Sequence, residues 1–299
     1  MQFIFQLEGR MGNHFYIIAA MIYVMKKYNI DCKLFIQDYV KCQNLNHLYK
    51  NLEEHIIDKL PKVYIPIYES FNPDDIEDVL KQQSIKCRDN SIDLDEFIKE
   101  YNTEEYSNST ITFTFCFFQT DKYFLEYKDD IKKIFLVETE NTLKYKNLIS
   151  EDDVFISVRR GDYITACFYV LTNEYYIDMY NEHFSGKNIY ISSDDINWCK
   201  ENLPIEKFNN CNNITYLEDL DVLELYTIGT YFTNYICANS TFSSACELSS
   251  EHNQKSIGIK NVAADICRHH MFSKNCIAYN VIENDKYKKY IDDINGIKI

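Results

Sequence analysis

The sequence contains little glycine, little proline and almost no tryptophan: 7 Gly, 4 Pro and 1 Trp in 299 residues. This scarcity disfavours collagen-like, low-complexity and turn-rich all-β architectures. Basic residues are also few, with 31 Lys and Arg against 46 Asp and Glu, and the formal net charge is -15. Because so acidic a chain repels phosphate except at local basic spots, we expect no general binding of nucleic acid or of anionic membranes. Any phosphate-binding role must fall to a few placed arginines.

The 11 cysteines form no CxxC pair. That spacing excludes zinc-ribbon and thioredoxin motifs and is typical of buried cysteines in a reducing compartment. No apolar run reaches the ~20 residues that span a bilayer. The first ten residues also lack the basic region of a signal peptide. We therefore expect a cytoplasmic protein without a transmembrane segment.

The apolar fraction of 46% is enough for sizeable cores. Strand-like and helix-like patterns alternate: a strand at Phe3–Leu7 precedes a helix at Phe15–Met25, and a buried strand at Val154–Val158 precedes a helix at Glu174–Phe184. This alternation predicts an α/β fold with parallel sheets and ligand loops at the carboxyl ends of the strands. A polar break at Ser150–Asp153 places the domain boundary, which gives domains 1–150 and 151–299.

The strongest local motif is Arg159-Arg160-Gly161-Asp162-Tyr163, directly after the Val154–Val158 strand. Two adjacent guanidinium groups are costly to bury, and arginine can hold phosphate oxygens in a bidentate fork. Asp162 can hold one arginine in place and so aim the other. The alternative is a surface turn with a local ion pair.

A second candidate follows the first strand, where Arg10, Gly12 and Asn13 open the first helix. Backbone N–H groups at such a helix start can bind an anion. The segment matches neither the dinucleotide GxGxxG motif nor the GxxxxGK[ST] loop, so those two assignments fail. An ordinary glycine turn is the alternative.

Three further segments have polar residues near predicted strand ends or helix starts. Ser193-Asp194-Asp195 can cap a helix or present a carboxylate to a nucleoside, and Asn239-Ser240-Thr241 can cap a helix or offer hydroxyl donors. Asp219-Leu220-Asp221 formally matches the DxD of metal-dependent glycosyltransferases, but such tripeptides are frequent in an acidic chain.

The order and spacing of these segments resemble a known family. The segments that carry the resemblance are Arg10-Met11-Gly12-Asn13, Phe117-Phe118-Gln119 with Tyr123-Phe124, Val158–Tyr163, Ser193-Asp194-Asp195 with Trp198-Cys199, and Asn239–Ser243. They resemble the α-1,2-fucosyltransferases of glycosyltransferase family 11 over nearly the whole chain. The N-terminal loop also resembles that of protein O-fucosyltransferases.

The resemblance implies a GT-B-like architecture of two Rossmann-like domains, with an acceptor-side domain at 1–150 and a nucleotide-sugar domain at 151–299. It further implies a GDP-fucose donor, a glycan acceptor, no metal or other cofactor, and inversion at the anomeric carbon. Two departures from the family's usual residues leave two alternatives open: a donor with a different deoxysugar, or a non-catalytic protein that binds sugar nucleotides. Ser157 stands where the family usually has His, and Ser244-Ala245 stand where it usually has a Trp pair.

Breaking a sugar–phosphate bond leaves negative charge on the nucleotide, and without a metal that charge must be met by arginine and by preorganised donors. We expect Arg160 to be the principal clamp, with Arg159 assisting or paired to Asp162. The remaining expected donor-site residues are Arg10, Gly12, Asn13, Ser193, Asp194, Asp195, Asn239, Ser240 and Thr241. Glu8, His14 and Asp162 are all possible bases for the acceptor hydroxyl.

Overall fold

The structure is a computed structural model that describes residues 1–7, 9–36, 84–87, 92–114, 116–164, 170–252, 255–259, 261–263, 266–267, 271–281 and 286–289. The chain divides into two compact units, Met1–Phe135 (unit 1) and Leu136–Ile299 (unit 2). Both are α/β units built on a parallel sheet. The expected fold class is therefore confirmed.

Unit 1 contains a four-stranded parallel sheet in the order β2-β1-β4-β3. Its elements are β1 (Gln2–Leu7), α1 (Met11–Tyr28), β2 (Asp31–Ile36), β3 (Ser84–Cys87), α2 (Leu94–Tyr101), β4 (Thr110–Phe113), α3 (Lys122–Leu125) and α4 (Lys128–Phe135). Most of α1 is buried, because its apolar residues occupy every face of the helix. The helix ends at Tyr28, and the capping residue Asn29 adopts the left-handed conformation.

Unit 1 ends at a break between two helices that the sequence pattern did not predict. The pattern predicts one helix over Asp129–Glu140, whereas α4 ends at Phe135 and α5 (Glu140–Leu148) begins after Thr139. Thr139 caps α5 by accepting a hydrogen bond from the backbone N–H of Thr142, and the Thr142 hydroxyl accepts one from the N–H of Thr139. This capping box favours a new helix over continuation of the old one. The boundary expected near residue 150 lies beyond α5.

Unit 2 contains a six-stranded parallel sheet in the order β13-β10-β9-β5-β7-β8. Its elements after α5 are β5 (Val154–Val158), β6 (Val170–Leu171), α6 (Asn173–His183), β7 (Ile189–Ser193), α7 (Ile196–Asn202), β8 (Ile214–Tyr216), α8 (Val222–Gly229), β9 (Asn234–Ile236), α9 (Thr241–Ser249), β10 (Lys255–Ile259), β11 (Asn261–Ala263), β12 (Ile266–Cys267), β13 (Ile277–Tyr279) and β14 (Lys288–Lys289). Numbered along the chain, the six strands follow the doubly wound order 3-2-1-4-5-6. The direction of winding reverses between β5 and β9.

The strand β5 lies at the centre of this sheet and all of its residues are buried. Val154, Ile156 and Val158 contribute to a core cluster with residues of α6 and β7. The ring of Phe155 instead contacts Phe232. Burial on both faces explains why β5 is a continuous apolar run, as parallel strands covered by helices usually are. The strand thus fixes the position of the residues that follow it.

Candidate active site

The expected donor-site residues of unit 2 lie where neighbouring parallel strands end. Arg159 follows β5, Asp194 follows β7, and Asn239 lies just beyond β9, with the strands adjacent in the order β9-β5-β7. The crevice beyond the carboxyl ends of the strands, at the point where the winding reverses, is where doubly wound sheets bind their ligands. Sheet topology therefore gathers these residues at one edge.

The Arg159 side chain is held by two carboxylates. It forms an ion pair with Asp162, and its Nη1 lies 2.7 Å from Oδ2 of Asp194. Its guanidinium also lies 5.0 Å from the centre of the Tyr163 ring. The positive charge of Arg159 is thus matched within the protein. This is the arrangement expected if Asp162 holds Arg159 in place.

Arg160 is held mainly through its backbone. The backbone N–H of Arg160 donates to Oδ1 of Asp194 at 2.8 Å, whereas the side-chain Nε lies 3.7 Å from Oδ2 of Asp195, beyond hydrogen-bond distance. Among the described residues no other carboxylate is paired with this guanidinium. Burial lowers the pKa of Arg160, and its side chain is only 14% exposed. Arg160 therefore has N–H donors to spare for an anionic ligand.

Ser193, Asp194 and Asp195 stabilise the loop between β7 and α7. The Ser193 hydroxyl accepts from the N–H of Asp195 at 3.0 Å, and Asp195 caps α7 by accepting from the N–H of Trp198 at 3.2 Å. The carboxylate of Asp194 contacts both members of the arginine pair. These contacts orient the side chain of Arg159 and the backbone of Arg160. A contact with a nucleoside stays a prediction.

The segment after β9 begins α9 and is tied to the arginine loop. Ser240 caps α9 by accepting from the N–H of Phe242 at 3.3 Å, and Thr241 is the first residue of the helix. The Tyr163 hydroxyl donates to the carbonyl of Asn239 at 2.8 Å. The N-terminus of α9, which favours negative charge, therefore opens at the same sheet edge as the arginines.

Unit 1 contains the other predicted loop, between β1 and α1. Gly9 has φ +77, and a Cβ there would lie 2.2 Å from Nδ2 of Asn13, so this position requires glycine. Oδ1 of Asn13 accepts from the Gln119 side chain at 3.0 Å. Arg10 is exposed and Gly12 is buried in the first turn of α1. Glu8 lies outside the described residues.

His14, a candidate base, is fully buried on α1. Burial lowers its pKa to about 4, and an interaction with the backbone of Gly9 offsets part of this effect. The imidazole is therefore neutral near pH 7.

The two aspartates of the DxD tripeptide, Asp219 and Asp221, lie at the start of α8. Asp221 caps α8, because its Oδ1 accepts from the N–H groups of Leu223 and Glu224 at 2.7 and 2.9 Å. Asp219 has φ +57, in the left-handed region. No group of metal-ligating side chains occurs in the part of the chain that the structure describes.

Sequence reasoning missed one close contact of Arg160. The guanidinium carbon of Arg160 lies 3.5 Å from the centre of the Trp198 ring. The available signal was the position of the only tryptophan, three residues after the helix-capping Asp195.

A family model of glycosyl transferase family 11 matches residues 6–277. The chain belongs to this family. The resemblance inferred from the motifs is thus confirmed. An α-1,2-colitosyltransferase from Escherichia coli is 28% identical over 165 residues, which are 48% of this chain and 56% of that protein. The match therefore spans little more than half the length of this curated relative.

Solved structures with similar folds include two fucosyltransferases. POFUT1 in complex with GDP is 12% identical, with a TM-score of 0.47 and coverage of 84% of this chain and 96% of that chain. The α-1,6-fucosyltransferase NodZ soaked with GDP-fucose is 13% identical, with a TM-score of 0.47 and coverage of 83% and 92%. Among the described residues, no helix has the length and apolar character needed to cross a membrane.

Proposed function

We propose that this protein is an inverting, metal-independent glycosyltransferase that transfers L-fucose from GDP-fucose to a glycan hydroxyl in α-1,2 linkage. The observation that carries the proposal is the arginine pair at the reversal point of the unit 2 sheet. Arg159 has its charge matched by Asp162 and Asp194, while Arg160 keeps donors to spare. Membership of glycosyl transferase family 11 supports the reaction class.

In this mechanism the acceptor hydroxyl oxygen attacks the anomeric carbon on the face opposite the nucleotide. A new C–O bond forms while the bond from that carbon to the β-phosphate oxygen breaks, and GDP leaves with the electron pair. Arg160 and the N-terminus of α9 meet the charge that develops on the phosphate. The hydroxyl proton passes to a base, for which Glu8, His14 and Asp162 are the candidates. In this proposal unit 2 binds the donor and unit 1 binds the acceptor.

A second candidate function is transfer of a different deoxysugar from the same kind of nucleotide. The named activity of the Escherichia coli relative concerns colitose. The chain also has Ser157, Ser244 and Ala245 where larger side chains are usual in the resembled family, and indoles contribute much wall area to a pocket. Altered selectivity for the sugar is consistent with both observations.

The test compares donors. Affinities for GDP, UDP and dTDP are measured by calorimetry, and transfer from GDP-fucose, GDP-mannose and GDP-colitose is measured on a panel of glycans. We expect GDP to bind most tightly and a 6-deoxysugar to be transferred with inversion. Preference for a uridine or thymidine nucleotide would overturn the donor assignment. Binding of GDP-sugars without hydrolysis or transfer would instead identify a non-catalytic binding protein.

A further inference from the structure

The indole ring of Trp198 stacks against the guanidinium of Arg160. The guanidinium carbon lies 3.5 Å from the ring centre, which is stacking distance for a cation over an aromatic face. The indole is half-buried and packs against the core cluster of unit 2, so its position is fixed. Its backbone is fixed as well, because its N–H donates to the capping carboxylate of Asp195.

The contact with Trp198 matters because no carboxylate among the described residues lies within hydrogen-bond distance of the Arg160 guanidinium. Arg159 is oriented by Asp162 and Asp194, whereas the only ion pair of Arg160 within the described residues is the 3.7 Å contact with Asp195. A long side chain without such a partner loses rotamer freedom when it binds a ligand. Stacking restricts that freedom in advance while leaving the N–H donors at the edge of the guanidinium available.

We propose that Trp198 is a positioning residue for diphosphate binding, which holds the plane of the Arg160 guanidinium ready for the phosphates of the donor. The proposal rests on the function proposed above. It assigns to the indole a role through Arg160 and not a contact with the nucleobase, because the guanidinium covers one face of the ring and the indole also packs against the core cluster of unit 2.

The test uses Trp198→Leu, which removes the aromatic face, and Trp198→Phe, which keeps a smaller one. Lys200→Ala, an exposed change on the same helix, is the matched control. We expect Trp198→Leu to weaken GDP binding by about 3- to 30-fold, the range expected for a partly desolvated cation–π contact. Trp198→Phe should recover part of this loss. Thermal unfolding and circular dichroism establish that each variant is folded.

Two measurements separate positioning from a purely structural role. Binding of guanosine, which has no phosphate, should not change in Trp198→Leu. In an Arg160→Ala background, Trp198→Leu should cause no further loss of GDP affinity, because the group it positions is already gone. Equal losses for GDP and guanosine, or a full additional loss without Arg160, would overturn the proposal.

The same indole reports on the contact directly, because it is the only tryptophan in the chain. Its emission spectrum should differ between the wild type and Arg160→Ala without ligand, and identical spectra would show that the stack does not persist in solution. GDP affinity of wild-type strength in folded Trp198→Leu would overturn this inference alone. A wild-type protein that binds no guanine nucleotide would overturn the proposed function and this inference together.

Discussion

At the scale of single residues, Arg160 should decide donor binding. Its side chain is 14% exposed, and it has one distant carboxylate partner among the described residues. Arg160→Ala should weaken GDP binding by about 2–5 kcal/mol, as other truncated charge pairs at buried interfaces do. Arg160→Lys should recover only part of this, since a point charge cannot reproduce the bidentate fork. Calorimetric titration with GDP measures both, with Lys200→Ala as the control, and unchanged affinity in Arg160→Ala would contradict the assignment.

His14 gives a residue-scale prediction about pH. Its pKa falls from 6.5 to about 4 on burial, so between these values the unfolded chain binds more protons than the folded one. The contribution of neutral His14 to the free energy of unfolding is therefore fully present above pH 6.5. It is lost as the pH falls towards 4, by up to about 1.4 kcal/mol per pH unit. The free energy of unfolding, measured with urea at several pH values between 4 and 7, should rise less steeply with pH in His14→Gln than in the wild type. The exposed His252→Gln is the control.

At the scale of elements, β5 and α9 are joined by a hydrogen bond between the buried hydroxyls of Ser157 and Ser243, 2.9 Å apart. Ser157→Ala should destabilise the protein by about 1–3 kcal/mol, because it leaves a buried hydroxyl unsatisfied. The double variant with Ser243→Ala should cost less than the sum of the single variants. Denaturant unfolding measures all three, and additive costs would show that the two hydroxyls do not depend on each other.

Element boundaries show what local patterns can and cannot predict. The strand Val154–Val158 was predicted to the residue, because a buried parallel strand is a continuous apolar run. The predicted helix over Asp129–Glu140 was wrong at its end, where the capping box at Thr139 starts a new helix. Apolar periodicity does not locate such a break, because the cap depends on the side-chain hydrogen bonds between Thr139 and Thr142.

At the scale of the whole molecule, we predict transfer without a metal ion. Arg159 and Arg160 lie at the carboxyl end of β5 in an otherwise acidic chain, and the carboxylate of Asp221 in the DxD tripeptide caps α8. Arginine and helix-terminal N–H groups can supply the compensating charge. Donor turnover should therefore persist in excess chelator. A large loss of rate that manganese restores would instead favour a metal-dependent transferase, with the metal ion held by Asp219 and Asp221.

The sequence by itself determined the α/β class, the family and the arginine motif after β5, because apolar alternation and adjacent guanidinium groups are local features. Only the tertiary structure decided that Asp194 meets both Arg159 and Arg160, and that Trp198 lies under Arg160. These contacts depend on β7 pairing beside β5, a choice made by sheet topology. Pairing of distant parallel strands follows from packing of the whole unit, so local spacing could suggest the Arg159–Asp162 pair but not the contacts of Asp194 and Trp198 with the arginines.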